Sequence, residues 1–359
     1  MSKVLSILVF LASVFFMSGC GNGMQEKDAD GFPIAQVLEA DSIAIDEILM
    51  VEGKTLLKDY AVIYSPKTSK VLFRYRLPGW EFVDSSFVAG EGPDDFANAY
   101  LQKTNGCTND LWISEPGRHW FKRYDLSDVT PRKVAGVPAS SGYWIFSGTV
   151  CGDTLLVYGD VDFDEGEYYL RSAKLADSVR KADVLRCFSK SEIVVQTNGA
   201  GTVKNARIYN APSIGVWGNR MLAWYGDTGS MLVYRISPDG HFHLENSFGE
   251  LLTYEKVKNT DFKELKRDYR EALSTVTQDY IYMIRVSYDG VIDQSSVTPR
   301  KKIALEVRVY DWEMKPIKKF VLDHMDADEV LVDELRGKIY AYDPRLDFEQ
   351  VYVYDYDLK

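Results

Sequence analysis

The chain has 359 residues, 13% of them aromatic, with 53 acidic against 42 basic side chains and a formal charge of −11. That balance disfavours a nucleic-acid partner and disfavours adhesion to anionic lipid through charge alone. The length is beyond a typical single core, yet sheet folds made of repeated units reach it as one domain.

The first 23 residues, "MSKVLSILVFLASVFFMSGCGNG", open with one cation at Lys3, run mostly apolar over the fourteen residues from Val4 to Met17, and end in small residues around Cys20. Fourteen is short of the roughly 20 apolar residues a bilayer crossing needs, so residues 1–19 read as a secretory signal and not as a span. Its removal takes away one lysine and no acid, moving the charge from −11 to −12. The polar stretch 20–35 reads as a tether, and 36–359 as the folded domain.

From there on, apolar and polar residues alternate in short runs separated by turn residues, which is the period of β-strands. Such runs include "YAVIYS" (60–65), "KVLFRYRL" (70–77), "DLWISE" (110–115), "WFKRYDL" (120–126), "DTLLVYGD" (153–160) and "YYLRSAKL" (168–175). Later ones are "RMLAWYG" (220–226), "MLVYRIS" (231–237), "YIYMIRVS" (280–287), "ALEVRVYD" (304–311), "KIYAYD" (338–343) and "VYVYDYDL" (351–358). A repeating unit begins near residues 56, 108, 150, 214, 276 and 328. Units of roughly 50 residues have the length of a four-stranded propeller blade with decorated loops. The expected fold is therefore all-β: a six-bladed β-propeller of four-stranded antiparallel blades. One exception, "NTDFKELKRDYREALST" (259–275), places Phe262, Leu265, Tyr269 and Leu273 on one helical stripe, with Asp261 as N-cap and Glu264 three residues on, and is expected to be a single inserted helix.

Few residues carry recognisable chemistry. "AGEGPDDFANAY" (89–100) has the look of a glycine cradle, but Asp95 stands where a dinucleotide-binding loop needs its third glycine, and carboxylates repel phosphate. A mechanical reading fits better: Gly90 and Gly92 for unusual backbone angles, Pro93 to fix the exit, Asp94 to cap a turn, and Phe96 and Tyr100 to face inward together. In "DVDFDEGE" (160–167), Asp160, Asp162 and Asp164 alternate as cation ligands do. Glu165 and Arg171, however, occupy the positions where a calcium loop wants Gly and Glu, so they are weak metal candidates. His241 and His243 bracket Phe242 with no third ligand in view. Cys107, Cys151 and Cys187 are three in number and form no CxxC pair, which fits buried small hydrophobes. No G-x-S-x-G elbow is present, no cofactor is implied, and Trp112, Trp144, Trp217 and Trp224 sit at strand positions that suit packing between blades.

Two resemblances add to this reading. "MSGC" (17–20) resembles the lipobox of bacterial lipoproteins, which implies acylation at Cys20, and Gly21 in place of Asp favours sorting to the outer membrane. With "GEGPDDF" (Gly90, Gly92, Pro93, Phe96) and "YDWEMKPIKKF" (310–320), the chain resembles TolB-like six-bladed propeller lipoproteins of Gram-negative envelopes, and more remotely the NHL-type propellers. The resemblance implies a propeller on the periplasmic or cell-surface face and carries over no catalytic residue. The expected function is a binding or scaffold module for an envelope protein, peptide or glycan, held to the membrane through Cys20. The alternative is an envelope hydrolase or lyase with its site, and a metal, in the propeller channel.

Overall fold

A computed structural model describes residues 27–358 except 48, 91, 93–94, 97–98, 103–105, 116–117, 119, 129, 139–143, 152–154, 163–166, 175–180, 199–200, 263–264, 294–299 and 344–347. For 137–138, 144–151, 155, 160–162, 174, 181–182, 193–198, 201–207 and 292–293 it describes the backbone alone.

Two short strands, β1 (Gln36–Leu38) and β2 (Asp41–Ala44), come first and end up in the last two blades. The first blade is β3 (Gly53–Leu56), β4 (Tyr60–Tyr64), β5 (Leu72–Arg76) and β6 (Glu81–Ser86). The second is β7 (Tyr100–Leu101), β8 (Asp110–Glu115), β9 (Trp120–Asp125) and β10 (Arg132–Pro138), and the third is β11 (Trp144–Cys151), β12 (Leu155–Asp162), β13 (Glu167–Lys174) and β14 (Lys181–Arg186). A separate hairpin, β15 (Lys190–Asn198) with β16 (Gly201–Tyr209), precedes the fourth blade, β17 (Ser213–Trp217), β18 (Arg220–Tyr225), β19 (Ser230–Ile236) and β20 (Phe242–Phe248). After helix α1 (Tyr254–Asn259) comes the fifth, β21 (Lys266–Val276), β22 (Tyr280–Asp293), β23 (Lys302–Asp311) and β24 (Pro316–Leu322). The sixth holds β25 (Glu329–Asp333), β26 (Lys338–Tyr342) and β27 (Gln350–Asp355), completed by β2, which pairs antiparallel with β27 from Asp41↔Val353 to Ala44↔Gln350. The ring is thus closed by strands from opposite ends of the domain. β1 lies parallel to β24 as a fifth strand of the fifth blade.

The fold is a six-bladed β-propeller, and its core is divided accordingly. Among the described residues six clusters of buried side chains each fill one interface between neighbouring blades. Strand β4 shows how the alternation sorts them: Ala61 and Ile63 pack toward the sixth blade, while Tyr60, Val62 and Tyr64 pack toward the second. Both faces of a middle strand are covered, so "YAVIY" is buried at every position. Trp112 and Trp224 lie in two such interfaces and Trp217 packs beside one, whereas the side chain of Trp144 lies outside the described residues. Cys187 is buried and Cys107 exposed, so these two do not pair; the side chain of Cys151 is not among those described.

The inserted helix is real but displaced. It spans Tyr254–Asn259 with Thr253 as N-cap, its side chain accepting from the Lys256 N–H, and the expected helical segment is instead strand β21 over most of its length. Residues four apart share a face in a helix and in a strand alike, so Tyr269 and Leu273 satisfy both periods. Pairing with β22, from Lys266↔Asp293 to Val276↔Ile281, decides for the strand. Residues 27–33, ahead of β1, lie against the fifth blade: Phe32 is fully buried, with its ring 5.0 Å from that of Tyr310.

Candidate functional site

Among the described residues the innermost strand of each blade has a strand partner on one edge alone, and the other edges surround the propeller axis. Three of them, β3, β21 and β25, wall a cavity of about 690 Å³. Its lining runs from Leu265, just before β21, to Thr277, just after it, and from Asp328 to Leu335 alongside β25. The cavity therefore follows the axis along the whole of β21.

The wall combines an apolar strip, including Leu56, Ala272, Ile284, Val286 and Leu331, with charges that are mostly paired. Lys54 pairs with Glu329, and Asp328 with Lys302. Asp333 is held by the Arg336 guanidinium at 3.0 Å; burial raises its carboxyl pKa, against the lowering by Arg336. Glu334 accepts from the Tyr282 hydroxyl at 2.7 Å, which in turn accepts from Tyr356 at 3.2 Å.

On the side of the fourth blade the wall becomes a polar seam. Cross-strand register places Glu271 of β21 opposite Arg285 of β22, and Arg285 opposite Glu306 of β23. The Arg285 guanidinium stacks 3.7 Å from the centre of the Tyr269 ring, and Arg267 donates to the backbone carbonyls of Gly226 (2.6 Å) and Asp227. Arg308 is buried and donates to Glu306 and to Asp30, each at 2.8 Å, the latter supplied by the N-terminal segment. Within this seam burial raises the pKa of the Glu271 carboxyl, opposed by Arg308, Arg285 and Arg267. Burial also pushes the Tyr310 hydroxyl up to about 12.

None of this cluster was legible as a site. Arg267, Tyr269 and Glu271 fell inside the expected helix, although their spacing of two is the strand period that places them on one face. The partners Arg285, Glu306 and Arg308 come from other strands, and Asp30 from the expected tether.

The residues picked out in the sequence lie elsewhere. Gly90, Gly92 and Phe96 belong to the passage from β6 to β7, between the first and second blades; Pro93 and Asp94 lie outside the described residues. Phe96 donates its N–H to the Val88 carbonyl and accepts from Gly90, at 2.9 and 3.2 Å. Both glycines lie against a side chain: a Cβ on Gly90 or Gly92 would stand 2.5 or 2.6 Å from the Asp95 carboxylate. That carboxylate accepts the Gly92 N–H at 3.0 Å. Arg118 clasps the loop from the second blade, donating to the carbonyls of Asp95 and Gly90. Tyr100 departs from expectation, being 56% exposed while Phe96 is fully buried, because Tyr100 already belongs to strand β7. Asp160 and Asp162 lie on β12, but their side chains and all of Asp164 fall outside the described residues, as does Cys20. His241 does have carboxylates nearby, Asp183 at 3.3 Å and Asp239 at 3.5 Å, in an exposed position. Among the described residues no group of three or more His, Cys, Asp or Glu is arranged to hold a metal ion. No helix among them is long and apolar enough to cross a membrane.

No protein-family model and no curated protein matches this chain. Among solved structures it is similar to a member of the DUF4221 family from Bacteroides vulgatus, with a TM-score of 0.56 and 11% identity, covering 89% of this chain and 97% of that one. It is also similar to a Bacteroides fragilis protein named "Putative exported protein", with a TM-score of 0.54 and 10% identity, covering 89% of this chain and 94% of that one. At such identities the likeness shows the fold: a six-bladed propeller spanning nearly the whole of both chains.

Proposed function

We propose that this protein is an exported, lipid-anchored propeller of the bacterial envelope that binds its ligand, a peptide, a glycan or a segment of an envelope protein, in the central channel. The observation that carries the binding role is the cavity of about 690 Å³ along β21, within the size range of small-molecule and peptide pockets. Its apolar strip and its charged and polar side chains offer packing and hydrogen bonds together. Export is supported by the signal-like N-terminus and by the description of the Bacteroides fragilis neighbour. Anchoring at Cys20 and placement at the outer membrane rest on the lipobox resemblance and on Gly21.

Two experiments test the two halves. Ala272 is exposed and lines the cavity, so Ala272→Trp fills the channel beside the apolar strip. The variant is expected to lose the ligands captured by the wild-type mature protein on glycan arrays and in envelope pull-downs while keeping its melting temperature. Unchanged capture by the variant would remove the channel from the function. Independently, Cys20→Ala is expected to move the protein from the membrane fraction to the soluble fraction, since several acyl chains on one residue give a far firmer hold than one. Persistence in the membrane would defeat the anchor.

A further inference from the structure

We infer that the channel takes a single carboxylate carried on an apolar body, and that Arg270 receives it; this deepens the channel reading above and rests on it. Arg270 stands out among the charged groups of the wall. Lys54 is paired with Glu329, and Arg267 is engaged with two backbone carbonyls. Arg270 is exposed, lines the cavity and has no acidic partner among the described residues. Its position is set by register: Arg270 pairs across to Val286, and Ala272 to Ile284, so the cation sits at one end of an apolar strip. Its guanidinium lies 5.9 Å from the Tyr288 ring, which closes the same end.

A guanidinium with no acidic partner among the described residues, beside an apolar strip, suits a planar carboxylate whose carbon body lies along that strip. The rest of the wall argues for one negative charge and against several. Glu271, Asp328, Glu329, Asp333 and Glu334 all line the cavity, and each further negative charge on a ligand adds repulsion from them. The same chemistry has two sources, the free C-terminus of a peptide with apolar side chains and a small aliphatic acid.

The test is calorimetric titration of the mature protein with three probes: N-acetyl-Val-Ile-Leu as the free acid, the same tripeptide as its C-terminal amide, and hexanoate. The free acid is expected to bind about tenfold more tightly than the amide, the size of effect a charge-assisted hydrogen bond supplies. Arg270→Gln is expected to erase that preference without changing the melting temperature. Hexanoate binding as well as the free-acid tripeptide supports the proposal with a small acid as the source; hexanoate binding weakly supports it with a peptide terminus. Equal binding of acid and amide, lost from both in Ala272→Trp, overturns the carboxylate and leaves the channel as a site. No binding by any probe, or a preference that survives Arg270→Gln, also overturns the carboxylate. Binding that survives Ala272→Trp overturns the channel reading itself.

Discussion

Phe96→Ala is expected to destabilise the propeller by about 3–5 kcal/mol, the range for deleting a fully buried phenyl ring and leaving a cavity. The ring is 0% exposed and stacks on Phe87, with centroids 4.4 Å apart and planes 17° apart, while Tyr124 of the second blade meets it edge-on at 5.9 Å. It therefore joins two blades across the loop that links them. The surroundings are poorly able to collapse, because the Phe96 backbone is fixed by hydrogen bonds to Val88 and Gly90, and Phe87 is itself held at a positive φ of 57°. Tyr100→Ala supplies the contrast: this side chain is mostly exposed, and its loss is expected to change stability by less than about 0.5 kcal/mol. Urea denaturation of the three proteins measures the difference, and similar losses for the two variants would show that Phe96 is not part of the core. Gly92→Ala belongs to the same loop. Its new Cβ would drive the Asp95 carboxylate off the Gly92 N–H, with an expected loss of about 1–3 kcal/mol.

The architecture was legible because it rests on two simple periods. Alternation along each strand and the spacing of about 50 residues between units are both local or additive features, and the sixfold division of the core follows from them. What escaped was whatever depends on partners distant in sequence. β21 resembled a helix because an apolar spacing of four fits both geometries, and only pairing with β22 separates them. The two-stranded insertion β15–β16 showed only as a long interval between the units near 150 and 214, and closure of the ring by β2 left no mark on the spacing. The polar seam around Glu271 draws on three strands and on Asp30, whose segment read as a tether. The loop "AGEGPDDF" was read as mechanical, and it runs from β6 to β7 between the first two blades; the carboxylate that its glycines lie against, that of Asp95, became visible only in the fold.

Arg74 is where simple alternation misleads most, and its replacement tests how neighbouring blades are fastened. In "VLFRYRL" the arginines at 74 and 76 alternate with Phe73 and Tyr75, a pattern that assigns both cations to a solvated face. Arg76 is exposed, but Arg74 is only 2% so. Its guanidinium forms a fork on Asp84 of β6, with Nε at 3.0 Å and Nη2 at 2.7 Å, and Nη1 reaches into the second blade to donate to the carbonyls of Leu126 (2.5 Å) and Asp128 (2.7 Å). The Tyr60 ring covers it at 4.8 Å. One side chain thus satisfies a carboxylate in its own blade and two carbonyls in the next. Arg74→Ala is expected to destabilise the protein by about 3–5 kcal/mol, because it strands the Asp84 charge and leaves two carbonyls without their donor. Arg74→Lys is expected to recover little, since one ammonium cannot reproduce a planar fork together with the bonds to the second blade. Removing the acid as well separates the causes. If the stranded charge dominates, Arg74→Ala with Asp84→Ala is expected to be more stable than Arg74→Ala alone; if the clasp on the second blade dominates, the double variant stays as unstable as the single one. Full stability in Arg74→Ala would show that the interface between the first two blades is held by its apolar cluster alone.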